Sequence, residues 1–283
     1  MIETWQELLN KNSSQRPIAV GGYSRGGTTF AYRNLCNHVR AWHLEEYFHK
    51  FYEFHTLESG EIAIDKHAIE QKKSANTPVN GHMEEDHDPN AWRQIQLERY
   101  YNIRRDHPWH KVFIKVLPLH CRELYSASPS AYKDLCSSHY WLFVLRRDYV
   151  NMILSNLYSN YFNHFHYYDD TPLKNKPFTW EKLDDVNTIY KDQWIWLKRM
   201  WYSSGEVGEF VFSEDFAPSL REDKHKFAYA PSPRFDLEKP KLYREVFQNY
   251  DQVVERIHSM AQEVEQETQG FFKFTDTEVK VNI

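Results

Sequence analysis

Pro17-Ile18-Ala19-Val20-Gly21-Gly22-Tyr23-Ser24-Arg25-Gly26-Gly27-Thr28-Thr29 is the stretch whose reading decides the fold of this chain. A short apolar run is stopped by a glycine pair, and a second glycine pair precedes two threonines. The chain holds only 9 glycines in 283 residues, about 3% against a usual ~7%. Four of the 9 fall between positions 21 and 27, so this turn needs bare backbone. Residues 17–22 are long enough for a buried strand. Residues 28–40 place Phe30, Leu35, Cys36 and Val39 near one face of a helix. The spacing predicts strand, tight turn, helix.

Outward from that unit, residues 41–58 are rich in aromatics and carboxylates, and residues 71–90 turn polar and read as surface loop. Residues 91–106 have helical character, and 111–117 (Lys-Val-Phe-Ile-Lys-Val-Leu) form a dense apolar run typical of a central strand. A further run, 140–145 (Tyr-Trp-Leu-Phe-Val-Leu), leads into Arg146-Arg147-Asp148 and an amphipathic helix through about Phe162; residues 209–213 are a last strand candidate. Continuous rather than alternating apolar strands, separated by helices, indicate an α/β fold: a central parallel sheet flanked by helices on both faces. Ligands of such folds bind at the carboxyl ends of the strands, where the glycine turn and the Arg146-Arg147 pair both fall. We expect one domain over 1–283, with a long loop insertion at about 60–90, and no repeat of 20–50 residues is present.

Composition narrows the function classes. With 41% hydrophobic, 27% charged and 16% aromatic residues the chain is of ordinary folded type. A net charge of −5, from 35 Lys+Arg against 40 Asp+Glu, argues against coating nucleic acid. Cys36, Cys121 and Cys136 are odd in number with no CxxC spacing, which suggests reduced thiols rather than disulfides or zinc. His164 and His166, near Asp169 and Asp170, lack a third ligand at fixed spacing and read as structural. The N-terminus has no basic-then-apolar leader pattern, and no window approaches ~18 uninterrupted apolar residues. The expectation is a soluble, cytoplasmic protein with no membrane partner and no metal.

In the glycine turn, glycines allow successive N–H groups to converge on an anion, and the helix starting near Thr28 aims its positive end at the same place. Gly21, Gly26 and Thr28 register with the phosphate-loop pattern G-x-x-x-x-G-K-S/T, but Gly27 stands where the lysine would be and Arg25 lies inside the loop instead. The loop Ser24-Arg25-Gly26-Gly27-Thr28-Thr29 resembles the phosphosulfate loop of sulfotransferases that use 3′-phosphoadenosine 5′-phosphosulfate (PAPS), which has a cation two residues before its last glycine. The family's second signature, a strand running into R-D-P with Ser eight residues after the Arg, is similar to Leu145-Arg146-Arg147-Asp148-Tyr149 with Ser155; Tyr149 stands in the place of the Pro. Phe113 to His120 and Val211 to Phe216 resemble two further strand ends of the family, in the right order. The resemblance spans about 17–216 and implies a phosphate-loop NTPase-like sulfotransferase fold.

The resemblance implies that Ser24, Arg25, Gly26, Gly27, Thr28 and Thr29 hold the 5′-phosphosulfate, and that Arg147 and Ser155 hold the 3′-phosphate. Arg25 would stabilise the leaving phosphate and Lys115 the transferring sulfuryl group, PAPS being the donor and adenosine 3′,5′-bisphosphate (PAP) the product. Leu117 occupies the place of the small-molecule branch's catalytic histidine, so the base is sought elsewhere. Glu46 lies 21 residues after Arg25, the offset of the tyrosine-modifying branch's glutamate; Glu45, His43 and His55 are rivals, and His120 is a candidate for substrate contact or for a buried structural histidine. The acceptor is a hydroxyl, of a carbohydrate or another small molecule, with 60–90 and 163–180 as candidate lids. A nucleotide-dependent kinase or phosphotransferase, and a non-catalytic nucleotide- or glycan-binding relative, are the alternatives. Glu46→Gln is expected to retain PAP affinity while losing transfer; normal turnover by that variant would remove Glu46 from the role.

Overall fold

In the computed structural model, residues 1–12, 16–23, 25–38, 41–44, 54–56, 62–64, 100–102, 105, 111–162, 176–186, 190–217, 220 and 239–283 are described. Helix α1 (Trp5–Asn10) precedes strand β1 (Ile18–Gly22), helix α2 (Thr28–His38) and strand β2 (Ala41–Leu44). A small antiparallel pair, β3 (Phe54–Thr56) and β4 (Ile62–Ile64), comes next. Then follow β5 (Lys111–Val116), α3 (Pro118–Ala127), α4 (Pro129–Ser138), β6 (Tyr140–Leu145) and α5 (Tyr149–Phe162). The chain continues through α6 (Lys191–Ser203), β7 (Gly208–Phe212), α7 (Lys239–Val246) and α8 (Tyr250–Glu267), and ends in a hairpin of β8 (Phe272–Phe274) and β9 (Val279–Val281). The strands at 18–22, 111–116, 140–145 and 208–212 fall where the apolar runs predict them, within a residue or so.

The five strands β2, β5, β1, β6 and β7 form one sheet in that order, and every pairing is parallel. The fold is therefore α/β with a central parallel sheet. All residues of β1 and β6 are buried, as strands covered on both faces must be. Alternation assigns them to two cores. Ile18, Val20, Leu142, Val144 and Val211 pack with Trp5, Leu8, Phe30, Ala31 and Leu35 of α1 and α2. Ala19, Trp141, Phe143 and Leu145 pack on the other face with residues of α3 to α8.

Aromatic side chains build much of that second core. Trp141 stacks on Phe143 at 5.4 Å and Phe143 on Phe210 at 4.7 Å, running a column of rings from β6 to β7. The indole N–H of Trp141 donates to the Cys136 carbonyl at 2.8 Å, so its burial strands no polar group. Gly21 makes room for the column, since a Cβ there would lie 3.2 Å from both Phe143 and Trp141. Among the described residues no helix is long and apolar enough to cross a membrane.

The chain leaves β1 towards β2 on one side, whereas β6 is entered from β5 and left towards β7 on the other. Adjacent strands whose connections diverge open a crevice at their carboxyl ends, the position where α/β folds bind ligands. At that point β1 passes close against β6: Gly22 has φ +143°, and a Cβ on it would lie 2.1 Å from the Val144 carbonyl oxygen. Gly22→Ala is expected to cost at least about 3 kcal/mol, because backbone cannot yield as a side chain can. In calorimetry that is a fall in Tm of roughly 6 °C or more; an unchanged Tm would mean that β1 and β6 part here without cost.

Candidate functional site

The loop between β1 and α2 is a tight wrap of backbone over the end of β6. The Gly26 N–H closes a turn onto the Tyr23 carbonyl at 3.0 Å, and the Gly27 carbonyl accepts the first helical bond from Ala31 at 3.0 Å. Gly27 has φ +95°, and a Cβ on Gly26 would lie 3.1 Å from the Val144 carbonyl oxygen. Arg25 also sits in the left-handed region, at φ 67°. A non-glycine residue there stores about 1 kcal/mol or more of strain, and such residues concentrate at functional sites.

The strained backbone sends the Arg25 side chain across the crevice. Its Nε donates to the hydroxyl of Ser155 in α5 at 3.3 Å, joining positions 130 residues apart. Ser155 is buried, and so is Tyr243 of α7 beside it. Burial pushes the Tyr243 phenol up; a hydrogen bond with Ser155 and the charges of Arg25 and Arg146 pull it back, and Asp148 adds to the rise. Arg25 and Ser155 thus meet beside the end of β6, with Tyr243 next to Ser155.

A second cation reaches the start of α2. Lys115 lies beside Val20 in the sheet register, is 4% exposed, and donates from Nζ to the Thr29 hydroxyl at 2.5 Å. The first turn of α2 carries no acidic residue. A cation at the positive end of a helix is unfavourable by itself, whereas an anion among the turn's free N–H groups reverses the sign. His120 is buried and fixed locally: its Nδ1 accepts the Leu117 backbone N–H at 3.3 Å, which places any proton of the neutral ring on Nε2.

Arg147 is engaged by the end of β7 and the turn after it. Its two terminal nitrogens donate to the two carboxylate oxygens of Asp215 at 2.5 and 2.9 Å, and its guanidinium lies 4.4 Å above the Phe212 ring. The Asp215 hydrogen bond raises its already high pKa. The Arg147 backbone N–H donates to both Glu214 oxygens at 3.1 Å, and Arg146 lies 3.7 Å from Glu214 through Nε. Asp148 caps α5, accepting the Asn151 backbone N–H at 2.9 Å and its side-chain amide at 2.6 Å. Tyr149, in the family's proline position, holds the C-terminal hairpin by donating to the Thr275 carbonyl at 3.1 Å, with His258 Nδ1 at 2.8 Å.

The structure therefore brings together Arg25 and Ser155, and Lys115 and Thr29, with Gly26, Gly27 and buried Thr28 in the same loop and helix start. Ser24, Glu45, Glu46, His164, His166, Asp169 and Asp170 lie outside the described residues, as do the side chains of Cys36, His43 and His55 and most of the candidate lids. From sequence, Arg146 stands only as half of the Arg146-Arg147 pair at a strand end, and Tyr243 not at all. Arg146 had a signal in the alternation of β6: it has the parity of Val144, whose side chain faces Gly27. Tyr243 had none, because its place follows from how α7 packs on α5.

Comparison of the chain with family models, curated proteins and solved structures returns no match. The Arg147–Asp215 pair, about a third exposed at each end, is expected to show a coupling of about 1 kcal/mol in a double-mutant cycle with Arg147→Gln and Asp215→Asn. The coupling should shrink in molar salt; strictly additive losses would show that the pair contributes no stability.

Proposed function

We propose that this chain is a PAPS-dependent sulfotransferase, with a phosphate-loop-like α/β fold, moving a sulfuryl group to an acceptor hydroxyl such as that of a carbohydrate. The observation that carries the reading is the hydrogen bond from Arg25 to Ser155, which unites the glycine-rich loop and the second turn of α5 at the switch point between β1 and β6. The glycine loop and the serine of the second signature converge on one crevice, which suits a donor with anions at the 3′ and 5′ positions of its ribose.

The donor set suits such a molecule. Gly26 and Gly27 keep the loop free of side chains against Val144, and the start of α2 offers N–H groups and the hydroxyls of Thr28 and Thr29 to the 5′-phosphosulfate. Lys115, held at Thr29, adds charge on that side. Arg25 stands between this helix start and Ser155, placed to neutralise charge that grows on the departing phosphate. In the reaction the acceptor oxygen bonds to sulfur, the bond from sulfur to the bridging phosphate oxygen breaks, and a base takes the acceptor proton; Glu46 is the first candidate, with Glu45, His43 and His55 behind it.

Thermal shifts with PAP, ATP and ATP plus magnesium test the reading. PAP at about 100 times its Kd should stabilise the protein by about 2.7 kcal/mol, a rise of roughly 5–10 °C in Tm, with little from ATP. Stabilisation by the magnesium complex alone would overturn the reading in favour of a phosphotransferase. PAP binding without transfer to any acceptor class from labelled PAPS would make the chain a binding protein.

A further inference from the structure

The aromatic side chains that build the second core do not all end inside it. Among the described residues four tyrosines are exposed, and two of them, Tyr125 at 44% and Tyr202 at 53%, stand on the rim of one open groove. A single exposed ring is ordinary, whereas two on one concave surface mark a place where something binds. The groove has a volume of about 670 Å³ and lies between α3, α4, α6 and the end of α8, within the size range of ligand sites. Its floor includes Ser203 at the end of α6, shortly before Gly208, which pairs with Trp141 at the start of β6. The groove is therefore near the amino ends of the strands, at the other end of the sheet from the crevice.

Its wall is built in advance. Tyr125 meets Tyr132 at 5.4 Å and 90°, Tyr132 meets Trp196 at 5.7 Å and 89°, and Tyr125 closes the triangle on Trp196 at 5.5 Å. Three rings that hold one another edge to face do not rearrange singly, so little entropy is left to lose on binding. The Tyr132 hydroxyl donates to the Ser203 hydroxyl at 3.1 Å, which leaves Ser203 its own proton to donate elsewhere. Tyr202 rests against Phe271 at 5.9 Å. Charge is unbalanced here. Glu267 is held by Lys191 at 2.9 Å, and Lys198 donates to the Thr268 carbonyl at 2.6 Å, at the negative end of α8. Arg199 lies 4.9 Å over the Trp196 ring and meets no carboxylate among the described residues. A guanidinium stacked on an indole keeps its N–H edge for an anion.

We propose that this groove is a second binding site, for an oligosaccharide that carries sulfate or carboxylate groups, with Tyr125 and Tyr202 against the C–H faces of its rings and Arg199 on its acid group. Rings, a hydroxyl and an unmatched guanidinium are the three kinds of group such a ligand asks for. An apolar partner would bury Arg199 without a counter-charge, which is costly. A nucleic acid backbone needs a run of cations, where the groove has Lys198 and Arg199. The site stands apart from the crevice and does not depend on which nucleotide the crevice takes.

Titration calorimetry with a heparin tetrasaccharide and its desulfated, N-acetylated counterpart tests the assignment. The wild-type protein should bind the sulfated sugar and lose about tenfold in affinity or more for the other, the size of a hydrogen bond to a charged group. Arg199→Gln should cost the sulfated sugar about tenfold and Tyr202→Ala about fivefold, while Arg25→Gln, in the crevice, should leave its affinity unchanged. Both groove side chains are exposed, so an unchanged Tm identifies these losses as lost contacts; Tyr202→Leu serves where the alanine variant lowers Tm. Equal binding of the two sugars, binding of neither at millimolar concentration, or undiminished affinity in both groove variants would overturn the proposal. A loss in Arg25→Gln alone would overturn it by placing the sugar in the crevice, and tighter binding of oligothymidylate at the groove residues by making the groove a nucleic-acid site.

Discussion

The site exists because β1 can lie against β6 with no side chain between them. Gly22 turns at φ +143° where a Cβ would strike the Val144 carbonyl, and Gly26 comes back over the same carbonyl after the turn. This double approach presses the loop onto the end of β6. Only from there does the Arg25 side chain span to Ser155, and only then do the loop, the strand end and α5 share one crevice. The glycines thus set distance as well as backbone angle. Where β1 runs inside the sheet, Gly21 does the same for the Trp141 and Phe143 rings, so the loop and the aromatic core depend on one run of bare backbone.

Charge is sorted around the crevice rather than spread over it. The protein carries a net −5, yet the carboxylates nearest the end of β6 are engaged. Asp215 holds Arg147, Glu214 accepts a backbone N–H, and Asp148 caps α5. With these acids occupied, Arg25 reaches Ser155 and Lys115 reaches Thr29 beside the positive end of α2. A low-dielectric wall of buried strands concentrates their field locally, whatever the net charge of the whole chain.

Much of the sheet was legible in the sequence because a parallel strand covered on both faces must be apolar throughout. The runs at 18–22, 111–116 and 140–145 are short and mostly apolar, with glycine or charge at their ends, which suits such strands. Strand β2 was not separated from the aromatic segment around it, since four residues carry too little periodicity. Helices α3 and α4 were also passed over, although Pro118 at the start of one and Ser128-Pro129 at the start of the other are strong boundary signals. At the site, the glycine loop and the β6–α5 turn are legible as two strand ends, but the hydrogen bond between Arg25 and Ser155 is not, since the resemblance assigns those two residues to different phosphates. The pairing of Arg147 with Asp215 has no signal in the sequence either, because Asp215 lies on a turn reached through another strand. Tyr243 was invisible for the same kind of reason: helix-on-helix packing leaves no local mark.

The C-terminal hairpin sits on the signature turn itself. The Val279 N–H donates to the Arg147 carbonyl at 2.9 Å, and the Thr275 carbonyl accepts the Tyr149 hydroxyl at 3.1 Å. On a ribosome these partners emerge long after the strand and helix they brace. The sheet can assemble early, from strands already made, but the turn between β6 and α5 stays without its final two hydrogen bonds until residue 279 has been added. A nascent chain therefore carries a nearly finished sheet while the turn between β6 and α5 still waits for partners more than 120 residues further along the sequence.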